Sequence, residues 1–176
     1  MKERKEAQRK ITEDYSPELA RQKVTSFFES HPKVAKSTNE LSDTKVCVLA
    51  ALLDGKSITT SGYSIPSDYG VKRASAVAHA LEKIHNFPIS HSLVDTESDV
   101  GKMTKQARFH MTESDREKLQ RDPDCVFKEM YAKACKTRET QAQKEMKRLL
   151  KEYGEDGVLE LLKRAANDES GSKDAV

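Results

Sequence analysis

A group of basic and small polar side chains stands at the start of one predicted helix in this 176-residue chain. The group comprises Lys72, Arg73, Ser75, Ala76, His79 and Lys83. The free N–H groups at a helix N-terminus carry partial positive charge and favour phosphates. Arg can also hydrogen-bond a guanine edge at two atoms, whereas Lys more often neutralises phosphate and Ala touches a thymine methyl. The pattern predicts contact with a nucleic-acid groove, with a merely solvated helix face as the alternative.

A second basic group follows in a stretch with strand-like alternation: Lys102, Lys105 and Arg108. These side chains suit contact with phosphate or with a minor groove. Three acidic residues on the same predicted loop, Asp95, Glu97 and Asp99, would repel a duplex. The mixed sign is equally suited to a protein partner, so the sequence leaves the role of this segment open.

A third basic group lines one side of a long predicted helix. Its members are Lys133, Lys136, Lys144, Lys147 and Lys151, with Thr140 among them, and residues 133–151 carry a net charge of +5. Such a stripe could follow a phosphate backbone, but it is also what the solvated face of an amphipathic helix looks like. The apolar side of the helix holds Met146, Leu149, Leu150 and Tyr153. We expect this side to pack on Phe27 and Phe28 or, as in a coiled coil, on the same helix of a second protomer in a homodimer.

The remaining reactive side chains do not form a catalytic pattern. His79, His85 and His91 recur every six residues, which does not place them on one helical face, and none has a metal-ligand companion at C-x-x-C or H-x-x-x-H spacing. Cys47 falls on a predicted buried helix, and Cys125 and Cys135 lack an activating partner. Phosphate-binding glycine loops and the G-x-S-x-G motif are missing. We therefore predict neither catalysis nor a metal ion or other cofactor.

Composition favours a helical protein. Charged residues make up 34% of the chain, and 7 Gly with 5 Pro are too few for an all-β fold of many short strands. The net charge of +2 does not indicate a nucleic-acid ligand, so that inference depends on where the charges lie. Three widely spaced cysteines argue against a disulfide framework, and no apolar run of about 18 residues occurs. We expect a cytoplasmic protein that does not enter a membrane.

Hydrophobic spacing and capping residues predict the order of elements. We expect a mobile arm or frayed helix over residues 1–15, helices over 17–30 and 42–54, and a polar connection over 33–41. A short strand near Ile58 and a brief helix over 66–69 should precede a helix over 71–85. Two strands should follow over 89–94 and 107–111, on either side of a loop over 95–104. Beyond them we expect a short helix capped by Thr112, a long helix over 123–153, an amphipathic turn or two over 158–165 and a disordered tail.

Several of these segments resemble a known family. The residues concerned are Thr59-Thr60, the run from Tyr69 to Leu81, Asn86-Phe87-Pro88-Ile89 and the run from Arg108 to Thr112. Together they resemble the small winged helix-turn-helix proteins common in bacteriophages and prophages. The resemblance covers about residues 41–119, and the chain departs from the simplest members by inserting residues 61–67.

The resemblance implies a mainly α fold with a winged helix-turn-helix core, namely three helices and a β-hairpin wing, and helical extensions at both ends. The expected domains are 1–40 (charged arm and first helix), 41–121 (winged helix-turn-helix), 122–166 (helical extension) and 167–176 (tail). The second helix of the helix-turn-helix pair, starting near Lys72, would be the recognition helix.

Two functions are compatible with this sequence. The leading one is duplex DNA binding by a phage or prophage protein that regulates transcription or another DNA transaction in the host cytoplasm. The alternative is a protein-interaction module in which the winged helix is a scaffold that binds a host enzyme or polymerase. RNA binding is less favoured, because few aromatic residues are predicted on an exposed sheet.

Overall fold

The computed structural model describes residues 9–61, 65–97 and 101–171, with side chains up to residue 167. It is mainly helical with a small four-stranded sheet, as the composition predicts. A short 3₁₀ helix, Ile11–Glu13, is followed by six α-helices: α1 Pro17–Phe27, α2 Pro32–Asn39, α3 Asp43–Leu53, α4 Ala74–Lys83, α5 Glu113–Arg121 and α6 Pro123–Gly171. The four strands are β1 Ile58–Thr60, β2 Tyr69–Val71, β3 Ser90–Glu97 and β4 Met103–His110. The chain forms two compact units, Met1–Tyr131 and Ala132–Val176.

Helix α3 is the centre of the first unit. Its residues from Val46 to Leu53 are all buried, so this helix is surrounded rather than amphipathic, and Cys47 is a core residue as predicted. Ser42 occupies the expected N-cap position. Gly55 follows the helix at a φ of +77°, and the Arg116 guanidinium lies 3.0 Å from the place where a Cβ on Gly55 would be. A side chain at position 55 would therefore strain the backbone, and the Arg116 guanidinium would have to shift to make room for it.

Residues 9–15 are anchored to the core through Ile11 and Tyr15, which makes the prediction of a mobile arm wrong for this part of the segment. Ile11 and Tyr15 are buried, and Lys10 forms a parallel bridge with Gly70 at the edge of β2. The Tyr15 hydroxyl donates to Asp54 Oδ2 at 2.8 Å, and the Tyr69 hydroxyl donates to Asp14 Oδ2 at 2.7 Å. Two apolar groups suffice to anchor this segment because each finds a partner distant in sequence. Residues 1–8 lie outside the described residues.

The tyrosine hydroxyls make the fold sensitive to high pH. Burial and the hydrogen bond to Asp14 raise the pKa of Tyr69 to about 12, above the value of roughly 10 for an unfolded chain. Both states keep this proton below pH 10, whereas above it the unfolded state loses the proton first, so the free energy of unfolding should fall as pH rises from 10 towards 12. Urea titrations between pH 7 and pH 11 measure this fall. Tyr69→Phe should make the fall shallower, and an unchanged slope would contradict the assignment.

Helix α2 replaces the polar connection predicted over residues 33–41. Pro32 occupies the first turn, and Val34, Ala35 and Thr38 are buried. The Thr38 hydroxyl shares its one proton between the carbonyls of Val34 and Ala35, at 3.0 and 2.9 Å, which offsets the cost of burying it. The prediction was wrong because a Thr whose hydroxyl bonds within its own helix behaves as a core residue, while composition counts it as polar.

The sheet has the order β2-β1-β4-β3. Strands β3 and β4 form the expected antiparallel hairpin, but pairing continues from Ser90 opposite His110 to Glu97 opposite Met103. The connection is therefore shorter than the predicted loop over 95–104. Strand β1 pairs antiparallel with β4 and parallel with β2.

The brief helix predicted over residues 66–69 is wrong. Residues 65–68 are non-helical, and Tyr69 opens strand β2, which pairs with β1 on one side and with Lys10 on the other. Helix α4 consequently begins at Ala74 and not at residue 71, because Val71 is part of β2. Residues 62–64 lie outside the described residues.

The C-terminal helices begin where their caps predict. The Thr112 hydroxyl accepts a hydrogen bond from the Asp115 N–H, and Asp122 Oδ1 accepts one from the Cys125 N–H. Gly154, with a φ of +69° and a ψ of 179°, interrupts α6 at the predicted position. Beyond it the helix continues to Gly171, so the disorder predicted from residue 167 is wrong up to residue 171, and residues 172–176 lie outside the described part.

The boundary between the two compact units differs from the domain boundaries predicted from the sequence. Residues 9–40 and 41–121 of the two predicted segments lie in one unit, because α1, α2 and the segment before them share one core with α3. Among the described residues, no helix has both the length and the apolar character of a membrane span.

Candidate nucleic-acid interface

Helix α4 presents the predicted basic group on its outer face. The buried face consists of Ala74, Ala78 and Leu81, which are 2% exposed or less. All six residues of the group are exposed: Lys72, Arg73, Ser75, Ala76, His79 and Lys83. Since buried and exposed positions alternate with helical spacing, packing against α3 and the sheet fixes which face of α4 points outward.

Arg73 occupies an unusual backbone position. It is the N-cap of α4, with φ 57° and ψ 37°, in the left-handed region, and its side chain makes no capping hydrogen bond. A residue with a side chain pays about 1–2 kcal/mol for this conformation. The buried neighbours Val71 and Ala74 fix the chain on either side of the turn. Strain of this kind is often kept where a side chain has a function.

The positive charges along α4 are not equivalent. Lys83 Nζ lies 2.6 Å from Glu82 Oε1, so its charge is partly neutralised. Within the described residues, Lys72 and Arg73 take part in no ion pair. The positive potential of this helix is therefore concentrated at its N-terminal end, where the helix dipole has the same sign.

The basic residues of the hairpin have separate environments. Arg108 is half-buried and its Nη1 donates to the Pro66 carbonyl at 3.3 Å, which holds the guanidinium against the connection between β1 and β2. Lys102 and Lys105 are exposed, and Lys105 lies directly opposite Asp95 in the hairpin register. The prediction that Asp95 and Glu97 lie on a loop is wrong, because both residues are part of β3. Asp99 lies outside the described residues.

Two apolar side chains of the hairpin are exposed, which sequence reasoning missed. Leu93 is 62% exposed and Met103 is 72% exposed. The register places both on the same face as Asp95 and Glu97. Strand β3 alternates as predicted, but its exposed side is the one that holds His91, Leu93, Asp95 and Glu97, while Ser92, Val94 and Thr96 on the other side are half-buried or buried. The alternation alone did not indicate which side would meet the solvent.

The other candidate groups give no chemical centre. In the described residues no three His, Cys, Asp or Glu side chains come together as metal ligands. A cavity of about 190 Å³ is lined by His85, Asn86, Phe87, Phe127 and residues of α2. Burial and the nearby Lys45 charge lower the pKa of His85. The cavity is smaller than ligand pockets, which run from about 300 to 1,000 Å³.

The lysine stripe lies in the second unit. Lys133, Lys136, Lys144, Lys147 and Lys151 are all exposed along α6. They share this exposure with nearly all described residues of the unit, and α4 belongs to the other unit.

Comparison with known proteins adds no further constraint. No protein-family model, curated protein or solved structure matches this chain.

Proposed function

We propose that this protein binds duplex DNA through the N-terminal end and outer face of α4. The observation that carries the proposal is that all six residues of the group are exposed on this face, and that Lys72 and Arg73 at its start form no ion pair with another described residue. A helix that enters a major groove needs such an end, because its first residues reach both base edges and phosphates.

The surrounding elements support a winged-helix arrangement. Helix α3, strand β1, helix α4 and the β3–β4 hairpin follow one another, and β1 pairs with the returning strand β4. The hairpin directly follows the proposed recognition helix, where a wing would be. In this proposal the arrangement is a variant, because the place of the first helix of a helix-turn-helix pair is taken by the non-helical residues 65–68 and by β2.

Each exposed residue has a proposed role. Arg73 would read a guanine by two hydrogen bonds, and Lys72 would neutralise a phosphate. Ala76 lies one turn further and would contact a thymine methyl, with Ser75, His79 and Lys83 beside it. On the hairpin, Lys102 and Lys105 would contact phosphate. By occupying a site in this way, the protein would regulate transcription or another DNA transaction, as expected of a phage or prophage protein.

The salt dependence of binding tests this proposal. If about five phosphates are neutralised, log K should fall against log salt with a slope of about −4 to −5. Fluorescence anisotropy with a labelled random-sequence duplex, from 50 to 300 mM NaCl (roughly the range used for such slopes), measures it. Lys72→Ala should make the slope shallower by about 1, whereas Lys33→Ala, an exposed lysine of α2, should leave it unchanged. An affinity that does not change with salt would contradict DNA binding.

A second candidate function is supported by the hairpin. Leu93 and Met103 are exposed at separate positions on one face of the hairpin, with the opposed pair Asp95 and Lys105 between them, and exposed apolar groups among charges of both signs suit a protein surface. We propose, as the alternative, that this face binds a host enzyme or polymerase. Capture of such a partner that survives nuclease treatment and 1 M salt (about a 3 Å Debye length) would favour the alternative.

A further inference from the structure

The second unit exposes an unusual share of the large apolar side chains. Eleven such residues are exposed in the described chain, and six of them lie between residues 146 and 162: Met146, Leu150, Tyr153, Leu159, Leu161 and Leu162. In the same unit, Val158 is the one described residue that is buried. Amphipathic helices gain most of their stability from burying their apolar face, and an exposed patch of this kind marks an interaction site. Nothing within this unit covers these described side chains.

The two helical segments of this unit carry opposite charge. Residues 132–153 hold seven Lys or Arg against three Glu, a net charge of +4. Residues 155–171, beyond Gly154, hold five Asp or Glu against two Lys or Arg, a net charge of −3. Both segments expose apolar residues, so each charged flank borders the same kind of surface.

The basic and the acidic segment make this unit complementary in charge to a second copy of itself. In a dimer with two-fold symmetry, any contact made by one copy is repeated in reverse by the other. The basic segment of one copy can then face the acidic segment of its partner, twice, while apolar residues of both segments fill the centre. A parallel alignment of like segments would oppose basic with basic and acidic with acidic, at an electrostatic cost.

We propose that a second copy of this chain covers the apolar face of residues 146–162, with the basic segment of each copy against the acidic segment of the other. The exposed lysines of α6 thereby have a role at the flanks of this interface. The dimer does not depend on the proposed DNA binding, and it is measured without DNA.

Sedimentation velocity of the full chain tests the proposal, over about 1 to 100 µM, a range that brackets micromolar affinity. A mass near twice 19.8 kDa is expected for the wild type. Leu162→Lys places a charge in the interface of both copies and should raise the dissociation constant by at least about 100-fold. The matched control is Leu93→Lys, which changes a similarly exposed leucine on the hairpin and should leave the dimer intact.

Charge exchange tests the alignment and leaves the apolar contacts untouched. One variant carries Lys144→Glu, Lys147→Glu and Lys151→Glu, and the other carries Glu155→Lys, Asp156→Lys and Glu160→Lys. Each should self-associate at least about tenfold more weakly than wild type, because like charges then face each other, and an equimolar mixture should regain association. Circular dichroism checks that both remain helical.

A wild-type protein that stays monomeric at 100 µM would overturn the proposal and leave the face to a different protein. An equal loss with Leu162→Lys and Leu93→Lys would overturn the location of the interface, and the absence of recovery in the mixture would overturn the alignment.

Discussion

Replacing Arg73 by Gly is expected to weaken binding to a preferred DNA duplex about 5- to 150-fold, the effect of losing one two-bond contact to guanine. The substitution should leave the free energy of unfolding within about 1 kcal/mol of wild type, because glycine relieves the left-handed strain at φ 57° while adding freedom to the unfolded chain. The affinity is measured with a duplex enriched by the wild-type protein from a random pool, and stability by urea unfolding.

Asn86 offers a matched control for this experiment. It is the other described non-glycine residue with a positive φ, at 59°, and it follows the opposite end of α4. Asn86→Gly makes a comparable backbone change away from the proposed groove contact, so it should alter neither affinity nor stability appreciably. If Arg73→Gly binds the duplex as tightly as Asn86→Gly does, the N-terminal end of α4 does not contact DNA, and the hairpin alternative becomes the better explanation.

Tyr15→Ala is expected to lower the free energy of unfolding of the first unit by about 3 kcal/mol or more. Truncation of a buried aromatic side chain typically costs 3–5 kcal/mol, roughly, once the resulting cavity is included. Tyr15 is 4% exposed, packs edge-on against the Tyr69 ring at 5.8 Å between centroids and donates to Asp54. Its loss would release the N-terminal segment from the core. Urea unfolding followed by circular dichroism measures the effect.

Two further variants separate the contributions at this position. Tyr15→Phe keeps the ring and removes the hydrogen bond to a carboxylate, which should cost about 1.5 kcal/mol. Thr12→Ala changes an exposed residue of the same segment and should stay within about 0.5 kcal/mol of wild type. A Tyr15→Ala protein as stable as Thr12→Ala would mean that residues 9–15 are the loose arm their composition suggests.

The candidate interface was predictable in part. Helical spacing alone placed Ser75, Ala76 and His79 on one face, and the structure exposes that face. The left-handed turn at Arg73 was not predictable, because Arg has no preference for it and the turn is imposed by β2 on one side and the buried Ala74 on the other. The contact of Arg108 with the Pro66 carbonyl was equally hidden, since it joins residues 42 positions apart.

What the sequence determined by itself is local. Helix α3 between Ser42 and Gly55, the starts of α5 and α6 at Thr112 and Asp122, and the break at Gly154 all follow from caps and from apolar spacing within a few turns. Such signals act between neighbours along the chain, so they operate whatever the rest of the fold does.

Tertiary structure decided the rest. Strand β2 forms because it pairs with β1 and with Lys10, which is 60 residues away from Gly70 in the sequence. The N-terminal segment is ordered because the Tyr15 hydroxyl donates a hydrogen bond to Asp54 and Asp14 accepts one from the Tyr69 hydroxyl. Strand pairing and burial need a partner that only the folded chain supplies, and the local sequence pattern does not indicate which distant segment that partner is.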